Sequence, residues 1–362
     1  MKKLFHYILL LLNLLCALAL LCATLTRWIP PSQSVVPSLF SYAIPYLFLV
    51  NAVWIVFWLC LVRWTFLVSL VVCVARIGFV PCYFQLNGTA DVAQDPEHNL
   101  KVMTFNAHNF SGSDGSLPID TGAIWFVDLL RQENPDVLSI EEFALPPHYK
   151  LIDTLESMGY SYRRGIHDRM AGVTLFSKYP IRSETTMQGY GMMCTDVLWP
   201  RQTVRIVSVH LDSYRLTHDE TQNLSQLNYS DTNVRRIFHK TKSTVEHHET
   251  EWKEELMPIV TSSPFPLVVC GDYNDTPGSY IYQQFSRKMH DAFVGQGRGY
   301  CATFKGGMAS FRIDHVFYSD PLEALAYKRL HSDISDHYPV VFVLGVADTI
   351  QSATQPSTES IQ

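Results

Sequence analysis

Between Leu39 and Val62 the chain carries no charged side chain. A helix needs about 20 apolar residues to cross a bilayer, so this run is long enough to do so. Pro45 and Asn51 interrupt it, and Arg63-Trp64 end it, a pair suited to a membrane–water interface. Two more apolar runs flank it. Leu4 to Thr26 lies between Lys2-Lys3 and Arg27-Trp28, and Thr65 to Phe84 carries Arg76 and Pro81. The first is long for a signal peptide and lacks a small-residue cleavage site. The sequence therefore predicts about three transmembrane helices. Lys2 and Lys3 favour a cytoplasmic start, and Arg63 then falls in the second cytoplasmic turn. The chain beyond the third span then emerges on the non-cytoplasmic side; two spans would reverse this. Arg76 would snorkel near the outer end of the third span. The runs hold no carboxylate pairs, so they read as an anchor rather than a transporter.

Composition divides the chain at the same place. Residues 1–90 form the expected anchor, 91–99 a polar linker, 100–347 an α/β domain, and 348–362 a Ser/Thr/Gln-rich disordered tail. The first 98 residues hold five cations and three anions. Taking these from 28 and 34 leaves 23 cations against 31 anions, a net charge of −8 downstream. Sequence-blind binding to long nucleic acids rests on neutralising phosphates, so this balance disfavours such a partner. Five of the eight cysteines lie in the apolar region. Cys194, Cys270 and Cys301 are widely separated, which suggests neither a disulfide framework nor a cysteine zinc site.

In the polar region, short apolar strands end in chemically capable residues. Leu267-Val268-Val269-Cys270 leads into Gly271-Asp272-Tyr273-Asn274. On an extended tip, Asp272 and Asn274 would point the same way. A carboxylate and a carboxamide side by side suit water activation next to an anion, although a plain turn accounts for that stretch equally well. Lys101 to Phe105 ends at Asn106, with turn capping as the alternative use of that side chain. Val137 to Ile140 ends at Glu141-Glu142, of which only one can face a site. Val204 to Val209 ends at His210. Arg312 to Phe317 carries Asp314, and Ser335-Asp336-His337 precedes a last strand.

Between these lie predicted helices at Ile124–Leu130, stopped by Asn134-Pro135-Asp136, at Leu151–Met158 and at Tyr280–Phe285. Gly172–Ser177 and Pro180-Ile181 read as neighbouring strands joined at Lys178-Tyr179. Thr217 to Val260 reads as two exposed helices, with His247-His248 on a solvated face. Gly295 to Gly299 reads as a flexible loop.

The ordered set Thr104-Phe105-Asn106, Ser139-Ile140-Glu141-Glu142, Ser208-Val209-His210-Leu211, Gly271-Asp272-Tyr273-Asn274, Arg312-Ile313-Asp314-His315 and Ser335-Asp336-His337 resembles the endonuclease/exonuclease/phosphatase superfamily. That superfamily includes DNase-like nucleases, inositol phosphatases and neutral sphingomyelinases. The resemblance covers about Leu100 to Val346. It implies a two-sheet, four-layer α/β sandwich of the DNase-like type, here preceded by transmembrane helices. It implies that Glu142 binds a catalytic Mg²⁺ (or Mn²⁺), helped by Asn106 and Asp336. Asp272 would orient or deprotonate the attacking water with Asn274 beside it. His337, paired with Asp314, would act as general acid/base or hydrogen-bond donor, and His210 would contact a phosphate oxygen. Many relatives have Gln where Glu141 stands; an acid there would turn outward or add to the metal site. Some nucleases have an acid where His108 stands.

The resulting expectation is a metal-dependent phosphoesterase in a bacterial inner membrane, multi-pass, with its catalytic domain on the periplasmic side. Its partners are the bilayer and a small or lipid-borne phosphoester. A nuclease acting on DNA or RNA is the alternative within the enzyme class, and a catalytically silent anchored binding module is the alternative outside it.

Overall fold

The computed structural model describes residues 2–87, 92, 95, 97–143, 149–165, 172–186, 191–215, 231–306 and 310–347. The predicted tail therefore lies outside the described residues, as do part of the linker and much of the first half of the segment from Thr217 to Val260.

The apolar region forms helices α1 (Lys2–Ala23), α2 (Val36–Ser41), α3 (Ile44–Cys60) and α4 (Phe66–Ala75). Among the described residues one helix, Lys3–Arg27, is long and apolar enough to cross a membrane. That is compatible with an anchor or a signal sequence. The third apolar run is not a full-length helix as expected. α4 has 10 residues, and the chain tightens into a 3₁₀ turn over Ile77–Cys82 that contains Pro81. Proline lacks the N–H an α-helix interior requires.

The helices pack with polar groups inside and apolar groups outside. Asn13, Asn51 and Ser69 are fully buried, while Leu4, Leu11, Leu18, Leu49, Val53 and Val71 are exposed. Trp58 Nε1 donates to Asn13 Oδ1 at 2.9 Å, and Asn13 Nδ2 donates to Ser69 Oγ at 2.5 Å. Ser69 Oγ donates to Asn51 Oδ1 at 2.7 Å, and Asn51 Nδ2 donates to the Leu47 carbonyl at 2.8 Å. Each of these four donors has an acceptor, as buried polar groups require.

Beyond residue 99 the fold is a sandwich of two six-stranded sheets. The first contains β2 (Leu100–Asn106), β3 (Val137–Glu141), β4 (Tyr162–Gly165), β5 (Thr174–Ser177), β13 (Leu322–Arg329) and β14 (Val340–Val346), in the order β13-β14-β2-β3-β5-β4. The second contains β6 (Ile181–Thr186), β7 (Met192–Leu198), β8 (Thr203–His210), β9 (Leu267–Asp272), β10 (His290–Asp291) and β12 (Asp314–Tyr318), in the order β10-β12-β9-β8-β7-β6. β1 (Gln85–Leu86) pairs with β11 (Arg298–Gly299). This last pair corrects the expected loop over Gly295 to Gly299, which instead finishes a short helix and a bridge. The strands on either side of Lys178-Tyr179 are not neighbours either: β5 and β6 belong to different sheets, so the chain crosses the sandwich there.

Helices α5 (Ile119–Glu133) and α6 (Tyr149–Ser157) cover the first sheet, where Phe126, Leu130 and Leu155 pack on Phe105, Leu138 and Ile140. α5 stops at Asn134, whose left-handed backbone (φ 47°) closes it as the sequence predicts. The second sheet is covered by Trp252 and Leu256, and by Tyr282 and Phe285 from helix Tyr280–Phe285. Of the two exposed helices expected between Thr217 and Val260, the described part is one helix, α7 (Asp231–Glu251), with a π-turn and a short continuation to Ser262. It is not wholly exposed, because Val245, His248, Glu249 and Glu251 are buried.

Candidate active site

Two strand pairs decide where the chemistry collects. β2 and β3 are parallel at the centre of one sheet, and β8 and β9 are parallel at the centre of the other. Parallel strands end at the same edge. Asn106 is in register with Glu141, and His210 with Asp272. β12 and β14 run antiparallel to β9 and β2, so they begin where those strands end. Asp314, which opens β12, is therefore paired with Asp272, and His337 lies just before β14.

The faces between the sheets change character along the strands. At one end Val102, Val137, Val268, Val316 and Phe342 form an apolar core. Two residues nearer the site, the same faces hold Thr104, Ser139, Cys270 and Asp314, and then come Asn106, Glu141 and Asp272. Period-2 alternation thus carries polar side chains into the same interlayer as the core, at one end only. Gly271 permits the crowding there. Its φ is 137°, and a Cβ would meet the Val209 carbonyl oxygen at 2.0 Å.

Asp272 is 1% exposed and heavily partnered. Its Oδ1 accepts from the Asn274 amide at 2.7 Å, and its Oδ2 accepts from Asn106 Nδ2 at 3.1 Å. His337 Nε2 and His210 Nε2 lie 3.7 and 3.9 Å from Oδ2. Burial raises the Asp272 carboxyl above its ordinary range, while the charges of His337 and His210 pull against that rise. His337 Nδ1 donates to Asp314 Oδ2 at 2.9 Å. Burial works against its charged form, yet Asp314 and Asp272 overcome this and push it up to about 10. The imidazole is then a cationic donor at neutral pH, with Nε2 turned toward Asp272.

Glu142 stands beside this group. Asn106 Nδ2 donates to its Oε1 at 3.2 Å, and His210 Nε2 lies 3.6 Å from the same oxygen. Its side chain keeps a quarter of its surface open to solvent. A backbone φ of 51° swings it away from the strand direction of Glu141, the kind of strained turn that collects at functional sites. Glu141 goes the other way. It is not turned outward but fully buried between the sheets, accepting from Ser139 Oγ at 2.9 Å and Thr104 Oγ1 at 3.3 Å. Burial, reinforced by Asp314, pushes its carboxyl well above the usual range.

Six predicted residues thus meet: Asn106, Glu142, His210, Asp272, Asp314 and His337. Asn274 is placed differently from the expectation. Asn274 adopts a left-handed backbone (φ 49°), so the strand alternation stops at Asp272. Its carboxamide donates to the Leu211 carbonyl at 2.9 Å, and what it gives Asp272 is its backbone N–H. Asp336 pairs with His108 Nδ1 at 3.4 Å. Asn106 serves both uses considered for it, since its Oδ1 also accepts from the His108 amide at 3.1 Å.

Sequence reasoning missed the residues that brace the site. Ser335 Oγ donates to the Asn106 carbonyl at 2.7 Å. Asp275 and His248 touch at 3.2 Å, and His248 Nε2 lies 2.8 Å from the Asp212 carbonyl. This corrects the solvated reading of His247-His248: His248 is buried, and only His247 is half-exposed. The position of Asp275 directly after Asn274 was the available signal.

The ligating atoms of Asp272, Asp314 and His337 lie within 4.8 Å of one another, close enough to hold a cation. The His337–Asp314 hydrogen bond already occupies one ring nitrogen. Glu142 has the more open side chain, and a partly exposed carboxylate fits a hard divalent ion that keeps much of its water.

The sequence model described as "Endonuclease/Exonuclease/phosphatase family" matches residues 103–337. Another, described as "Domain of unknown function (DUF8431)", matches residues 4–83. No curated protein matches the chain. Among solved structures, the chain is similar to an endonuclease/exonuclease/phosphatase from Beutenbergia cavernae DSM 12333, at 18% identity and a TM-score of 0.48 over 69% of this chain and 72% of that one. It is similar to the human Nocturnin catalytic domain with bound sulfate anion, at 18% identity and a TM-score of 0.48 over 71% and 97%. It is also similar to truncated Caenorhabditis elegans TDP2, at 17% identity and a TM-score of 0.45 over 68% and 98%.

Proposed function

From the premise that the chain belongs to the endonuclease/exonuclease/phosphatase family, we propose that it is a membrane-anchored, metal-dependent hydrolase of phosphate esters. The observation that carries this reading is the meeting of Asp272 and the Asp314–His337 pair at the edge that also holds Glu142 and His210.

In this reading Asp272 accepts a proton from water aimed at phosphorus, and its raised carboxyl range suits a base. Asn274 holds the carboxylate through its amide rather than its side chain. His337, kept protonated by Asp314, donates to an oxygen of the phosphoryl group, and His210 supports a second one. The bond from phosphorus to the leaving oxygen breaks as the water oxygen bonds. Glu142 would hold Mg²⁺, or Mn²⁺ in its place, with Asn106 and Asp336 at the margin of that site. The ion would supply charge neutralisation on the phosphoryl oxygens.

The net charge of −8 beyond residue 98 favours a small or lipid-borne phosphoester over long DNA or RNA. The first 90 residues serve as a multi-pass anchor and residues 100–347 as the catalytic domain, joined by 91–99 and followed by a tail over 348–362. Two observations support the anchor: the inside-out polarity of the bundle, and the Asn13 network that ties α1 to α3 and α4. α3 spans ~26 Å, near the ~30 Å of a hydrocarbon core. Lys2, Lys3 and Arg63 lie at the bundle end away from the catalytic domain, which favours a domain on the non-cytoplasmic side.

The test uses the full chain in detergent micelles. Hydrolysis of bis-p-nitrophenyl phosphate, a lipid phosphodiester and plasmid DNA is measured with Mg²⁺ and with EDTA. Asp272→Ala and His337→Ala are each expected to lower turnover by roughly 10³-fold or more. Variants that keep wild-type turnover would overturn the assignment. Turnover of DNA alone would favour the nuclease.

A further inference from the structure

Where the bundle meets the catalytic domain, one side chain reaches three active-site loops. We propose that Tyr42, between α2 and α3, is a positioning residue for the loop that carries Asp272. The inference rests on the hydrolase reading above and adds to it that the apolar region is a working part of the catalytic unit.

Tyr42 Oη donates to Asp275 Oδ1 at 2.9 Å and also hydrogen-bonds to Tyr214 Oη. Its ring meets the rings of Tyr214 and Phe311 edge-on, with centroids 5.8 and 6.3 Å apart. Asp275 follows Asp272 by three residues, Tyr214 follows His210 by four, and Phe311 precedes Asp314 by three. Phe311 bridges to Phe304, whose ring lies 5.1 Å from that of His337. One side chain from the apolar region therefore sits where the loops bearing His210, Asp272 and Asp314 converge.

Asp275 is built to transmit this contact. Its Oδ1 also accepts from the Thr276 amide, its Oδ2 lies 3.2 Å from His248 Nδ1, and its carbonyl lies 2.9 Å from His315 Nε2. With those bonds the Gly271–Thr276 turn is fixed from its outer side, while Asn274 N–H and Asn106 fix Asp272 from the inner side. Removing the Tyr42 hydroxyl leaves a buried carboxylate short of a donor, and a turn in that state relaxes.

The docking around Tyr42 is close. Thr26 Oγ1 donates to the Gly278 carbonyl at 2.6 Å, and Arg312 Nη2 donates to the Cys82 carbonyl at 2.8 Å. A Cβ on Gly278 would meet Tyr83 Oη at 2.6 Å, Ile44 Cδ1 at 2.7 Å and the Ser41 carbonyl at 2.8 Å. A second contact joins the apolar region to α7 rather than to the Gly271–Thr276 turn: Ser32 donates through its amide and hydroxyl to Glu249. It provides the control.

The experiment compares wild type, Tyr42→Phe and Ser32→Ala as full-length protein in micelles. The two readouts are steady-state hydrolysis of bis-p-nitrophenyl phosphate and amide hydrogen exchange over residues 272–279. Tyr42→Phe is expected to lower kcat roughly tenfold with KM within about twofold, and to speed exchange in that segment. Ser32→Ala is expected to change neither. Wild-type kcat and exchange in Tyr42→Phe would overturn the proposal. Equal losses in both variants would overturn it too, since docking in general would then be responsible. If Tyr42→Phe does not fold, Tyr214→Phe reads the same junction from the domain side, with the same expected split. If the wild type hydrolyses no phosphoester, the hydrolase reading fails and the exchange comparison still decides the role of Tyr42.

Discussion

Glu251 offers a stability test whose sign is fixed in advance. It lies on the last turn of α7, 5% exposed, and neither carboxylate oxygen has a hydrogen-bond partner among the described residues. Burial pushes its carboxyl from 4.5 to about 7; the charge of His248 pulls the other way, and Asp212 and Glu255 add to the rise. A raised folded-state value means that the folded chain holds a proton the unfolded chain has released. Below pH 4.5 both states are protonated and the group costs nothing. Between 4.5 and 7 stability falls as pH rises, and above 7 the full penalty is present. A shift from 4.5 to about 7 corresponds to a penalty of about 3 kcal/mol. Glu251→Gln keeps the shape and removes the charge. Its unfolding midpoint should match wild type near pH 4.5 and exceed it by about 6–12 °C at pH 8.5. Thermal unfolding of both proteins at the two pH values measures this. An equal offset at both pH values would refute the linkage. A less stable variant at pH 8.5 would mean that Glu251 is ionised and paired, with His247 at 3.7 Å as the partner.

Two other substitutions probe separate parts of the molecule. Asp314→Asn removes the charged acceptor of His337 and should lower kcat for bis-p-nitrophenyl phosphate roughly 10–100-fold, with KM within about twofold; unchanged kcat would remove the pair from the chemistry. Asn13→Leu leaves Trp58 without its acceptor and Ser69 without a donor to its hydroxyl, which should cost about 1–2 kcal/mol in the apolar bundle. A lower midpoint in an SDS titration, with the catalytic strands unaffected by circular dichroism, checks that.

Much of the site was readable because each residue sits at the end of a short apolar strand. Asn106, His210, Asp272, Asp314 and His337 are marked by the switch from apolar to polar, and that switch is local. The helix bounded by Asn134 was readable for the same reason. Readings that depended on distant packing failed. β5 and β6 look like a hairpin, because a two-residue turn between strands is the local expectation; instead β5 pairs with β3 and β4 in one sheet and β6 with β7 in the other. α7 looks exposed because its sequence is polar, yet His248 is buried against Asp275 of the loop after β9, and Glu251 is buried one turn on. Asn274 seemed to point with Asp272 until a left-handed backbone broke the alternation.

By itself the sequence determined the apolar region, the strand ends and the residue types that chemistry would need, since hydrophobic periodicity and turn chemistry are encoded over a few neighbouring residues. The tertiary structure alone decided which acid of Glu141-Glu142 faces the site, and that β2–β3 and β8–β9 run parallel so that their ends share one edge. It also decided that Tyr42 closes on Asp275, 233 residues away. Adjacent carboxylates are equivalent in a sequence. They become different only when one is enclosed between two sheets, where burial raises its carboxyl, and the other keeps a quarter of its surface open to water.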